Sequence, residues 1–342
     1  MTITRGTLVA TALLVLGGMC AAKKLPNISW SYIDRTGKPV QRVNEELQVV
    51  YPREGLVPST GGPPAARWGY HDRSGTYVIP RQYGHAGPFV DRLAVVEVVK
   101  SWEPARGAHH EIAVGGRYGF VNPRGKLVIK PVYDSALSFS EGLAAVKLGE
   151  RAGFIDPRGK RKIPFAFQDV RSFSQGLAPV RVDDRWGFVD HKGALVIKPA
   201  YDAALEFAGG FAAVLVGGKW GYVDRTGAVI VKPTYVDARS FSEGRAAVCT
   251  GVTGGRTKSG ELTQDTPHWG FVDTRGKLVI RAEYQDVGAF SRELTPVMKT
   301  GPRGWLWGYI DASGKIRIAP KYHQATAFNH NGLARVGFII PD

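Results

Sequence analysis

The chain has 342 residues, room for one large repeat domain or two average ones, and 44% of them are hydrophobic, enough to bury a substantial core. Its 43 glycines and 21 prolines imply many turns rather than long helices, and almost no segment keeps an apolar stripe at helical spacing for about three turns, an all-β pattern. The 45 basic residues outnumber 30 acidic ones, giving a formal charge of +15. That charge permits attraction to polyanions, but without a basic block interleaved with aromatics it argues against a dedicated nucleic-acid site.

The N-terminus reads as a secretory signal over residues 1–22. Arg5 supplies a positive start, an apolar run follows from Thr7 to Gly18, and small residues close it at Ala21 and Ala22. The mature domain is then expected over 23–342, in an extracytoplasmic compartment, periplasmic or secreted. The rivals are an uncleaved anchor and lipidation at Cys20, which Met19 directly before it disfavours. Membrane contact is expected only if the N-terminal segment is retained or Cys20 is lipidated. With the signal gone, Cys249 stands alone, so no internal disulfide is available. Its place at the end of Ala246-Ala247-Val248-Cys249 marks it as a small buried hydrophobe.

Downstream, one pattern recurs. Related strings begin at Trp30, Trp68, Tyr118, Ala152, Trp186, Trp220, Trp269 and Trp307, about eight units in all, and Gly119, Gly153, Gly187 and Gly221 recur every 34 residues. Insertions near 101–116 and 250–268 lengthen two intervals. After each Trp-Gly string comes Asp-x-x-Gly, as in Asp190 to Gly193. A run such as Leu195-Val196-Ile197 follows, then an aromatic such as Tyr201, a Phe such as Phe207, and a short strand such as Phe211-Ala212-Ala213-Val214.

Asp at the first turn position can accept hydrogen bonds from the backbone ahead of it, and the Gly tolerates positive φ, so each Asp-x-x-Gly joins two antiparallel strands. Each unit is therefore expected to be a three-stranded antiparallel meander. A meander this small cannot bury its apolar face alone and must stack on its neighbours. The whole pattern, from Trp30 to Val336, resembles the WG-containing β-repeats common in bacterial proteins. The Trp is replaced at Tyr118 and Ala152. The resemblance implies a binding or interaction repeat with no catalytic residues to carry over.

The first unit lacks a strand before Trp30, and the last, Leu333-Ala334-Arg335-Val336, lacks a Trp-Gly hairpin after it. These incomplete ends are complementary. Pairing them would close a propeller-like ring; the rival is an open β-solenoid.

Chemistry is sparse. The repeated Asp residues could suggest a Ca²⁺ array, but their fixed turn position favours backbone capping. The regular spacing of Trp and Tyr favours core packing over a stacking platform. His109 and His110 lack the spacing of a zinc signature, and Gly254 to Lys258 is no phosphate loop. No catalytic, cofactor or metal constellation emerges. The candidate contacts are residues off the repeat pattern: Trp102, Arg106, His109 and His110 in the first insertion, Arg256 and Lys258 in the second, and Trp305 before the last Trp-Gly string. The expected function is a non-catalytic envelope scaffold that binds another protein. The alternatives are binding of an anionic envelope polymer and a glycan-acting hydrolase.

Overall fold

The computed structural model describes residues 28–40, 54–60, 67–104, 111–253, 266–301 and 304–339. The signal segment lies outside them. The described residues form eight antiparallel sheets and one two-stranded ribbon. Numbered along the chain, sheet 1 lies within 57–83, sheet 2 within 85–133, sheet 3 within 135–167, sheet 4 within 169–201, sheet 5 within 203–235, sheet 6 within 237–284 and sheet 7 within 286–322. Sheet 8 combines Gln324–Ala325 and Ala334–Ile339 with the N-terminal strand Ile28–Ile33.

Sheet 4 shows the plan. Its strands are Asp169–Val170, Ala178–Val182, Arg185–Val189 and Leu195–Tyr201, each paired with the next. The expected three-stranded meander is thus one strand short. The linker after each aromatic contributes a two-residue strand, here Asp169 opposite Arg181 and Val170 opposite Val180. So short a strand shows no alternation of its own; it is fixed by pairing to the strand that follows it.

The turns behave as expected. Asp190 Oδ1 accepts from the backbone N–H groups of Lys192 and Ala194, both at 2.9 Å, and Gly193 takes φ 83°. The same capping recurs in every Asp-x-x-Gly turn from Asp34 to Asp311, with Asn122 doing it in sheet 2.

The signature glycine has a different cause. In sheet 4, Trp186 pairs with Tyr201 and Phe188 with Ile197, so two residues of the third strand face four of the fourth. The excess bulges over Gly187. Pro199 sits in this bulge, where the ladder needs no N–H.

Stacking supplies the core. Seven apolar clusters each join one sheet to the next, from sheets 1 and 2 through to sheets 7 and 8. The inner strands are buried on both faces for this reason. Between sheets, the aromatic after each Trp-Gly meets the Phe of the next repeat. Phe188 and Phe207 have ring centroids 4.9 Å apart, and Tyr70 and Phe89 4.8 Å. Where Tyr replaces Phe, its hydroxyl donates to a carbonyl of the next sheet: Tyr70 to Gly87 at 2.8 Å, Tyr309 to Thr326 at 2.9 Å. Burial raises these phenols' pKa values and keeps them neutral. The Phe-Ser-Glu-Gly segment also reaches forward. Ser174 Oγ donates to Phe207 O at 2.6 Å, and Gln175 Oε1 accepts from Gly210 N at 2.8 Å.

Where Trp is replaced by Ala152 in sheet 3, the Phe165 ring covers Gly153 beside it, lying 2.5 Å from where a Cβ would stand. This sheet also shifts its proline by one, to Pro164.

The N-terminal strand completes the last sheet. Ile28 to Ile33 pair in antiparallel register with Ile339 to Ala334, Ile33 is 1% exposed, and it packs with Tyr309, Ile318 and Val336.

Candidate interaction surface

The two ends of the sheets differ. One end carries the Asp-x-x-Gly turns and the Phe-Ser-Glu-Gly segments. The other carries the hairpins that join second strand to third. In sheets 3, 4 and 5 these hairpins are tight, turning at Gly149-Glu150, Asp183-Asp184 and Gly217-Gly218. Asp183 and Asp184 take φ 46° and 62°, as a two-residue hairpin of this hand requires.

Elsewhere that end is elaborated. In sheet 2 the hairpin grows a ribbon, Ser101–Pro104 paired with Glu111–Val114. In sheet 6 the paired strands run on to Thr253 and Thr266, and in sheet 7 to Gly301 and Gly304. In sheet 1, Thr60 pairs with Trp68 across a longer connection. In sheet 8 the same end holds Ile28 opposite Ile339. Among the described residues every elaboration therefore leaves the same end.

Of the candidate contacts, the structure places two. Trp102 stands on the ribbon, half-buried, with the Arg67 guanidinium 4.8 Å from its ring centroid. Arg67 also pairs with Glu111 at 2.9 Å, so it ties the sheet 2 ribbon to sheet 1. Its role was not legible in the sequence, because Glu111 lies 44 residues away. Trp305 extends the third strand of sheet 7 opposite Thr300 and is 42% exposed. The two tryptophans share an end but sit on different sheets. Arg106, His109, His110, Arg256 and Lys258 lie outside the described residues.

The repeat tryptophans are mostly occupied. Trp186 and Trp269 are buried, with Arg171 and Arg239 stacked at 5.3 and 4.5 Å. Arg239 also reaches Asp286 at 2.7 Å, binding sheet 6 to sheet 7. Trp30, on the N-terminal strand, has the Arg335 guanidinium 3.9 Å from its ring centroid and remains 40% exposed. Cys249 is buried and its thiol faces Gly251 O at 3.2 Å. Glu97, opposite His85, is held above the usual carboxylate range by burial. Among the described residues no group of three or more His, Cys, Asp or Glu is placed to hold a metal ion.

Much of the basic charge has a structural place. The last strands of sheets 1 to 7 carry nine lysines or arginines against the single acid Glu283. These strands are sheet edges. Charged side chains, proline and bulges on an edge block pairing with another chain.

Seven stretches match the WG containing repeat, at residues 68–98, 118–151, 153–186, 186–220, 220–251, 269–301 and 307–337. The chain belongs to the WG containing repeat family. Each WG repeat starts on the third strand of one sheet and ends on the second strand of the next or just beyond it. Sequence repeat and sheet are thus out of phase, and sheets 2 to 7 are each built from two successive repeats. That offset leaves sheet 8 without a third strand, which Ile28–Ile33 supplies.

Solved structures similar to the WG-repeat chain include the WD40 domain of Neurospora crassa Pan2, at 13% identity and TM-score 0.36, covering 74% of this chain and 87% of that one. Kluyveromyces lactis Hsv2 with its loop 6CD replaced by a Gly-Ser linker matches at 10% identity and TM-score 0.39, covering 72% and 91%. PorZ of Porphyromonas gingivalis, a surface component of a type-IX secretion system, matches at 13% identity and TM-score 0.27, covering 77% and 44%. No curated protein matches the chain.

Proposed function

We propose that this WG-repeat chain is a non-catalytic scaffold of the cell envelope that binds a protein partner through the hairpin end of its sheets. The observation that carries the reading is the one-sided elaboration. Sheets 3 to 5 turn tightly, whereas sheets 6, 7, 1 and 2 extend their hairpins and expose Trp305 and the Arg67–Trp102–Glu111 ribbon. Loops on a rigid repeat scaffold are where such proteins carry recognition, and Trp and Arg are the residues that anchor interfaces. The turn carboxylates, by contrast, are engaged by backbone N–H groups.

The same reading includes closure of the array into a propeller-like ring. It is supported by the N-terminal strand completing sheet 8 and by stacked clusters through seven successive sheet pairs. Closure would bring sheet 8 beside sheet 1. The elaborated hairpins would then form one continuous surface over sheets 6, 7, 8, 1 and 2. Export rests on the signal pattern of residues 1–22.

The test is capture from envelope extract with the chain from Lys23 onward, beside two variants. One replaces residues 99–116 and 250–268 with two-residue turns like Asp183-Asp184; the other neutralises the fourth-strand lysines Lys130, Lys198 and Lys232. A discrete protein lost only with the trimmed hairpins supports the reading. Capture of polyanions alone, lost with the lysines, overturns it in favour of an anionic polymer.

A further inference from the structure

Sheet 2 departs from the repeat at two points that face each other. Of the eight Asp-x-x-Gly turns, seven begin with Asp and this one with Asn122. The amide caps the turn as the carboxylates do, accepting from Arg124 N at 3.0 Å and Lys126 N at 3.1 Å, but it carries no charge. The neighbouring tight turn is also altered. Sheets 3 to 6 place Gly142, Gly176, Gly210 and Gly244 at its second left-handed position, whereas sheet 2 places Arg92 there, at φ 64°. A side chain in that conformation costs roughly 1 kcal/mol over glycine, and such costs gather at functional positions. Sheet 7 makes the same exchange with Glu293, which is paired with Arg35.

Arg92, Asn122, Pro123 and Arg124 line a surface pocket of about 390 Å³. Neither guanidinium makes a hydrogen bond or an ion pair with the described residues. Three other basic side chains at this end are engaged, Arg35 with Glu293, Arg317 with Asp311 and Arg292 with His330 O, whereas Arg158 and Arg275, at the position of Arg124 in their own turns, each lie beside a turn carboxylate, Asp156 and Asp273. Among the described residues the two guanidiniums are unpaired, and beside a turn that has lost its carboxylate they leave a local excess of positive charge even with Asp91 adjacent to Arg92. Pro123 fixes the turn, so Arg124 is presented from a rigid base.

We propose that Arg92, Asn122 and Arg124 form a binding site for a phosphomonoester dianion. Guanidinium forks match phosphate oxygens, and two of them balance the two charges of a monoester. The Asn122 amide adds a neutral polar wall where Asp would repel the ligand. The volume leaves room for a phosphate and part of the group attached to it. This site lies at the turn end, away from the hairpin surface, and stands independently of the partner-binding reading.

The test is calorimetric titration of the full chain with inorganic phosphate, glycerol 1-phosphate and dimethyl phosphate at constant ionic strength. Three variants accompany it: Asn122→Asp, Arg124→Ala and Arg92→Ala. Asn122→Asp restores the residue of the other seven turns, so its melting temperature is expected to stay unchanged. The native chain should bind phosphate and glycerol 1-phosphate saturably, more tightly as pH rises through the loss of the second proton, at about 6 for the ester and about one unit higher for inorganic phosphate. Each variant should weaken binding about tenfold or more, and the monoanionic diester should bind about tenfold more weakly than the monoester. If glycerol 1-phosphate outcompetes inorganic phosphate, the site takes a phosphorylated small molecule; if the two are equal, it takes the free anion. No saturable binding by the native chain, equal affinity in Asn122→Asp, or equal affinity for the diester would each overturn the proposal.

Discussion

A Cβ placed on Gly187 would stand 2.6 Å from the carbonyl oxygen of Ile197 on the adjacent strand and 2.7 Å from Pro199 N. Equivalent contacts recur at Gly69, Gly119, Gly221, Gly270 and Gly308. The glycine of the signature is therefore demanded by the bulge of the Ile-x-Pro-x-Tyr strand, which brings backbone against its Cα.

Gly187→Ala should accordingly destabilise the chain by about 1–3 kcal/mol or more, since backbone atoms cannot give way as a side chain can. Gly210→Ala offers the contrast. That glycine has φ 89° and nothing within 4 Å of an added Cβ, so only the left-handed penalty of roughly 1–2 kcal/mol applies. Chemical denaturation of the two variants checks the order.

The N-terminal strand should matter as much as a central one. Ile33 is buried against sheet 7 residues, so Ile33→Ala should cost about 2–4 kcal/mol. A frayed terminal strand would lose less than about 0.5 kcal/mol, the usual effect of a surface change. Hydrogen exchange of the amides from Ser29 to Ile33 would give the same answer site by site.

The two classes of tryptophan should separate cleanly. Trp186 is 8% exposed and packs within the cluster joining sheets 4 and 5, so Trp186→Ala should cost about 3–5 kcal/mol. Trp305, 42% exposed, should change stability by less than about 0.5 kcal/mol when replaced by Ala. Thermal melting of both variants measures the difference.

The turns predict an acid response. The Ser313 hydroxyl, with backbone N–H groups and Arg317, holds the Asp311 carboxyl down at about 2. Asp34, Asp72 and Asp224 are lowered by the same kind of hydroxyl contact, from Thr36, Ser74 and Thr226. A folded-state pKa below the unfolded one adds stability above the ordinary value of 3.8, and that stability is lost as pH falls toward about 2. Asp311→Asn should keep the turn, as Asn122 keeps its own, and make the acid limb of the stability curve shallower. Denaturation between pH 5 and pH 2, about the range of the titration, follows it.

Legibility in the sequence tracked distance along the chain. The Asp190–Gly193 turn was readable because donor, acceptor and glycine lie within five residues. The strands were readable from their apolar runs, and the complementarity of Trp30 to Ile33 with Ala334 to Val336 from the two incomplete ends. The two-residue strand Asp169–Val170 was not, since it has no pattern apart from its partner. Nor were Ser174 and Gln175, whose partners Phe207 and Gly210 lie one whole repeat ahead, 33 and 35 residues away. Trp102 and Trp305 stood out as breaks in the period. Arg67 did not, because nothing local marks it as the partner of Glu111 and Trp102. The basic charge was legible as a total but not as a location, and its concentration on the edge strands required the sheet order.

The most direct test of the hairpin surface is photo-cross-linking. A photo-reactive amino acid would replace Trp305 in one preparation and Lys192, on an Asp-x-x-Gly turn at the opposite end, in another. Each would be exposed to envelope extract and the adducts analysed by mass spectrometry. A discrete protein adduct is expected from position 305 and none from position 192. An adduct confined to position 192 would contradict it, and would move recognition to the turn end of the sheets.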